Sequence, residues 1–245
     1  PGSVPKHGTH FDVAIAVAVM AVDPKNEVRT ELLDRTVMFG ELGLDGRVRA
    51  VRGIVPLLLS ASKRGFLNAI VPSSQLAEAE LVPGITVWGV EHLVEVLDVL
   101  AGRPTAHVAP SLEQAPAAQM LPDLSDVQGS DDGKFALEVA AAGRHHLFLH
   151  GPPGVGKTML ASRLTSILPP LSPEEAIEVS AIHSLAGERL VEGLITRPPY
   201  QDPHHTASRQ SLVGGGGREI RPGAVSLAHL GVLFLDESGD GKYTS

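Results

Sequence analysis

The residues best suited to chemistry form one run: Gly151, Pro152, Pro153, Gly154, Val155, Gly156, Lys157 and Thr158. Their spacing is G-x-x-x-x-G-K-[ST]. Glycines without a Cβ let neighbouring backbone N–H groups converge on an anion, and a helix starting behind them points its positive end at the same place. Lys157 is long enough to reach terminal phosphates, and Thr158 offers a hydroxyl to Mg²⁺. A second group, Leu233-Phe234-Leu235-Asp236-Glu237, lies some 80 residues later. An apolar strand ending in two acids would let Asp236 hold Mg²⁺ through water and let Glu237, the catalytic candidate, polarise an attacking water. Together the two runs predict a site for ATP and Mg²⁺, with Thr158 and Asp236 as the metal-side residues.

Two smaller signals carry alternatives. Arg197, Arg209, Arg218 and Arg221 lie in a stretch, 189–221, that holds five arginines against three acids and four consecutive glycines. It reads either as a solvated insertion loop or as a basic loop that touches DNA phosphates in a pore. His204 and His205 are adjacent, so on an extended segment their rings point apart, which disfavours a shared metal.

These residues need elements to position them. A helix over 131–142, capped by Asp131 or Asp132, and a strand over 146–150 should lead into the glycine run. A helix over 158–168 should follow, stopped by Pro169 and Pro170. Ser172, Pro173 and Glu175 predict a capping box that opens a helix to about 185. The run 231–236 predicts a central parallel strand buried on both faces. Upstream, strands are expected at 36–42, 47–51, 68–71 and 85–90, with helices at 56–64, 73–80 and 91–101. Gly43-Leu44-Asp45-Gly46 should turn the first two strands into a hairpin. Trp88 and Phe39 are expected in the core.

Composition limits the wider reading. The chain has 245 residues, a formal charge of −8, 43% hydrophobic residues and no cysteine. The charge argues against a generally basic, nucleic-acid-coating surface. Without cysteine there are no disulfides or thiolate metal sites, which suits a reducing, cytoplasmic setting. The longest apolar run, 13–22, is 10 residues, too short for a bilayer, and is expected in the core. The stretch 103–122 holds four prolines and five alanines without hydrophobic period and reads as a linker. It divides an α/β segment, 1–102, from a nucleotide-binding segment, 123–245.

The second segment resembles magnesium-chelatase-type AAA+ modules. The resemblance rests on Ala140-Ala141-Ala142-Gly143, His150-Gly151-Pro152-Pro153-Gly154, Ile167-Leu168-Pro169-Pro170-Leu171 and Ala181-Ile182-His183-Ser184. It also rests on residues 202–208, 212–216 and 221–229. The first segment resembles the Lon-protease-like domain that precedes the ATPase in the ComM/YifB group. The resemblance implies a partial Lon-like α/β domain followed by an incomplete P-loop AAA+ domain with a parallel sheet. It implies a homo-oligomeric ring, expected as a hexamer, whose ComM members are ATP-driven DNA branch-migration motors. Relative to that pattern the chain looks truncated at both ends, without the sensor, arginine finger and lid.

The Lon-like segment departs from its protease relatives. His10 falls at the nucleophilic serine and Val55 near the lysine base, so no peptidase activity is expected. Two rivals to the motor remain. One is a non-hydrolytic nucleotide-binding or assembly module; the other is a magnesium chelatase motor subunit.

Overall fold

The computed structural model describes residues 9–103, 122–188, 190, 193–204, 206–215 and 221–236. The chain divides into two compact units: residues 1–115 with 180–194, and residues 116–179 with 195–245. Among the described residues no helix is long and apolar enough to cross a membrane.

The first unit opens with α1 (Asp12–Met20) and the short α2 (Thr30–Leu33). Strand β1 (Thr36–Met38) leads to a hairpin of β2 (Glu41–Leu42) and β3 (Val48–Arg49), with Leu42 opposite Val48. The expected turn closes that hairpin, and the Asp45 carboxylate accepts from the Arg47 N–H at 3.2 Å. Next come α3 (Ile54–Lys63), β4 (Asn68–Pro72), α4 (Leu76–Ala79), β5 (Thr86–Val90) and α5 (Leu93–Ala101). Strands β1, β4 and β5 form a parallel sheet in that order, with Val37 opposite Ala69 and Ala69 opposite Val87. Parallel neighbours need crossovers, and α3 and α4 lie in them. Central β4 is buried from Ala69 to Pro72, as a strand covered on both faces must be.

Packing here corrects one expectation and meets another. The core holds Val13, Val17, Met38, Ile70, Val90, Val96, Val99 and Leu100, with Trp88 packed against it and Phe39 buried. The run 13–22 is not wholly buried: Ile15 is 51% exposed, Val19 71% and Val22 81%. A helix docked by one stripe buries positions four apart, here 13 and 17, and leaves 15 and 19 on its far side uncovered, while Val22 lies in the turn beyond the helix end.

In the second unit, α6 (Asp131–Gly143) and α7 (Lys157–Ile167) pack around Leu124, Val127, Leu137 and Leu160. Helix α8 (Pro173–Ala186) begins in the second unit and ends in the first. Its predicted capping box is present: the Ser172 N–H donates to Glu175 at 2.9 Å, and the Glu175 N–H donates to the Ser172 hydroxyl at 3.2 Å. There follow β6 (Tyr200–Gln201), α9 (Arg209–Val213), β7 (Gly214–Gly215), β8 (Arg221–Pro222), α10 (Ala224–Leu227) and β9 (Val232–Leu233). Strands β6 and β9 pair in parallel, with Tyr200 opposite Val232. The architecture is thus mixed α/β with parallel pairings in both units.

Two strand expectations need correction. Residues 146–150 form no strand, and Phe148 is 75% exposed. Among the described residues the run 231–236 yields only the two-residue β9, half-buried and paired with one neighbour rather than lying centrally. Both failures have one cause: a strand exists only where a partner supplies hydrogen bonds, and apolar composition does not supply one.

Candidate nucleotide site

The predicted phosphate loop is built from local preferences. Helix α6 ends where Arg144 turns to φ +52°, and the loop then passes through Gly154 at φ +82° and Gly156 at φ +86° before α7 starts at Lys157. Only glycine adopts such angles without strain, so the run can curl tightly ahead of the helix. Gly156 stands at the N-cap of α7 and brings no side-chain acceptor for the first-turn N–H groups. That leaves their positive end available to an anion.

Lys157 is half-buried and folds back across the loop. Its ammonium donates to the Gly151 carbonyl at 2.8 Å and to the Pro152 carbonyl at 3.1 Å. Neutral carbonyls are weaker partners than charged oxygens, so a phosphate entering the loop would compete well for this group. Pro152, Pro153, Gly154, Val155 and Thr158 are exposed, so the loop mouth and the threonine open to solvent.

The other predicted residues are placed less fully. Asp236 lies exposed just beyond β9. Tyr200 is pushed above the ordinary tyrosine range, first by burial and then by the charges of Asp202 and Asp236. The Tyr200 ring stacks on Phe234 at 6.4 Å, and among the described residues its hydroxyl meets no hydrogen-bond partner. The structure therefore groups Asp236 with the β6–β9 pair. Glu237 and Arg218 fall outside the described residues, as does His205. Arg197, Arg209 and Arg221 are all exposed. Arg209 opens α9, which runs straight into β7, and Arg221 stands opposite Gly215 on β8. His204 is engaged locally, with Nδ1 2.8 Å from the Thr206 hydroxyl. Among the described residues no group of three or more His, Cys, Asp or Glu could hold a metal ion.

The structure also describes His10 and Val55, the residues expected at and near the positions of a protease dyad. The His10 carbonyl accepts from the Gly40 N–H at 2.9 Å, and Val55 lies fully buried in the first turn of α3. A valine side chain can neither take nor give a proton there. The first unit also has an open cleft of about 660 Å³, lined in part by Asp45, Arg47, Arg49, Glu91 and His92. Its charges are of both signs and partly paired, Arg47 with Asp45 at 3.7 Å, so it offers no focused field.

One constellation escaped sequence reasoning. Glu78, Ser180, His183 and Ser184 are buried polar residues, and His183 Nδ1 lies 2.6 Å from Glu188. In sequence His183 and Ser184 belong only to a block of the family resemblance. Ser184 pairs with Glu78, 106 positions away, which no spacing rule connects.

Comparisons with known proteins agree with this picture. Residues 123–243 match the model described as "Magnesium chelatase, subunit ChlI", and residues 1–75 match "Subunit ChlI of Mg-chelatase". The chain is 50% identical over 244 residues to an uncharacterised protein of Mycobacterium tuberculosis, covering 98% of this chain and 47% of that protein. It is 41% identical over 237 residues to YifB of Escherichia coli, covering 97% and 46%. It is 38% identical over 241 residues to "Competence protein ComM" of Haemophilus influenzae, covering 97% and 47%. The chain thus spans about half the length of the curated relatives it matches. With the glycine loop, both family matches and these relatives in agreement, the chain belongs to the magnesium-chelatase-like AAA+ ATPase family, of the ComM/YifB type.

Proposed function

We propose that the chain binds ATP with Mg²⁺ at residues 151–158. The carrying observation is the loop itself: Lys157 poised over two carbonyls at the mouth, ahead of a helix whose first turn has no side-chain cap. In this reading Thr158 and Asp236 hold Mg²⁺ and Glu237 directs water at the terminal phosphate, the metal supplying charge neutralisation. The complete protein would be a cytoplasmic ring of identical subunits, expected as a hexamer, that couples ATP hydrolysis to movement along DNA. The name of the competence relative, and the three exposed arginines, support a role in DNA processing. In this reading the first unit takes no part in peptide cleavage, since His10 falls at the nucleophile position and Val55 near that of the base.

Two rivals stand beside it. A nucleotide-binding module without turnover is favoured by the placement of Asp236, exposed beyond the end of the short strand β9; it would bind ATP and release no phosphate. A chelatase subunit is favoured by the similarity to magnesium chelatase subunit ChlI, and its turnover would respond to a porphyrin-handling partner rather than to DNA. The shared claim is tested by ATP titration in Mg²⁺. Lys157→Ala should weaken affinity about tenfold to hundredfold, the range for losing a hydrogen bond to a charged group. Lys25→Ala, at an exposed site, should have no effect. Superimposed titration curves for the two variants would remove the phosphate site.

A further inference from the structure

Segment 180–194 lies within the ATPase-matched stretch, yet it belongs to the first unit. How it is held there is specific. The last carbonyls of a helix lack partners within the helix. At the end of α8 the Ser184 carbonyl accepts from the Gly187 N–H at 3.0 Å, where the chain leaves the helix. It also accepts from the Gly53 N–H of the first unit at 3.1 Å. A Cβ at Gly53 would come within 3.1 Å of the Leu185 side chain, so glycine permits this approach.

The Ser184 side chain makes a second link. Its hydroxyl donates to the carboxylate of Glu78 on α4, and both residues are buried. A buried carboxylate is costly unless donors meet it, so this pairing favours one register of the helix end. Sliding α8 by one residue would turn its side chains about 100° and carry the hydroxyl away from Glu78. Around this point Ser180 and His183 are also buried, and Glu188 holds His183 from the far side of the turn.

We propose that the first unit is a receptor for segment 180–194 of its own chain, reading the helix end at Ser184 through the Gly53 N–H and the Glu78 carboxylate. Docking that segment, rather than cutting peptides, is the work this unit performs. The inference stands on the packing of the first unit and is independent of nucleotide binding.

The chain contains no cysteine, which allows a direct test in the full-length chain. Ser180→Cys introduces a single thiol of similar size at a fully buried site of the same helix end and leaves the Ser184 hydroxyl on Glu78. Its reaction with a thiol reagent should run about a hundredfold slower than that of Ser74→Cys at an exposed site, because it must wait for local opening. Adding Glu78→Ala should speed labelling at position 180 about tenfold or more, the factor for losing a hydrogen bond to a carboxylate. Glu78→Gln keeps an acceptor oxygen and should retain most of the protection. A reporter at Ala161→Cys, buried in α7 of the second unit, should not respond to Glu78→Ala. The proposal is overturned if position 180 labels as fast as position 74, or if Glu78→Ala and Glu78→Gln act alike. It also fails if position 161 opens together with position 180, since the segment would then have no docking equilibrium of its own.

Discussion

Lys157, held by two carbonyls, and the left-handed glycines around it make the loop a built feature whose parts can be tested separately. Gly154 sits at φ +82° and Gly129 at φ +67°, and each has open space where a Cβ would stand. Alanine at either position carries the same left-handed strain, roughly 1–2 kcal/mol. Gly154→Ala and Gly129→Ala should therefore lower thermal stability alike, while only Gly154→Ala weakens ATP binding; equal affinities would place the ligand elsewhere. Tyr200 gives an alkaline test. Its hydroxyl is harder to ionise in the folded chain than in the unfolded chain, whose value is about 10. A raised value means that this contribution to stability is complete below about pH 10 and is lost as pH climbs beyond it. Urea unfolding between pH 8 and pH 11 should show a steeper decline for the wild type than for Tyr200→Phe. Parallel declines would contradict the burial of that ring.

At the scale of elements, the capping box of α8 makes the acid-side counterpart. The Glu175 carboxyl is held below its ordinary range, first by the Ser172 N–H and then by the charge of Arg144. A lowered value means the contribution is present above the unfolded value of about 4.3 and disappears as pH falls through the folded one. Glu175→Gln should flatten the stability loss between about pH 5 and pH 3, and Ser172→Ala should cost about 1 kcal/mol at neutral pH. Unchanged acid unfolding in Glu175→Gln would show that the box does not persist in solution. This box was legible in sequence, as were the hairpin turn at 43–46 and the glycine run. Each depends on residues within four or five positions of one another. What composition could not convey was partnership. Residues 146–150 have strand-like residues without a strand, and Ile15 and Val19 have core-like side chains in solvent. Ser184 finds its buried acceptor in Glu78, a neighbour created only by folding. Asp236 was legible as a residue type, whereas its place beside Tyr200 follows from the pairing of β6 with β9.

At the scale of the whole molecule, the proposed turnover is tested in a chain of the relatives' length, of which the present residues span 47% in the competence relative. Such a chain should release phosphate at steady state, and as Glu237→Gln it should bind ATP and release almost none, because the group proposed to direct the attacking water is gone. Release by Glu237→Gln at the wild-type rate would overturn that role. The path of the chain has its own corollary. It passes from one unit to the other after residue 115, returns after 179 and leaves again after 194. The two units are therefore interleaved along the gene, and no single recombination point separates them. A crossover in the 103–122 stretch would pass on an ATPase half carrying Ser180, His183 and Ser184 stripped of their surroundings, and a first unit missing one of its own pieces. Inheritance should therefore keep the two units together.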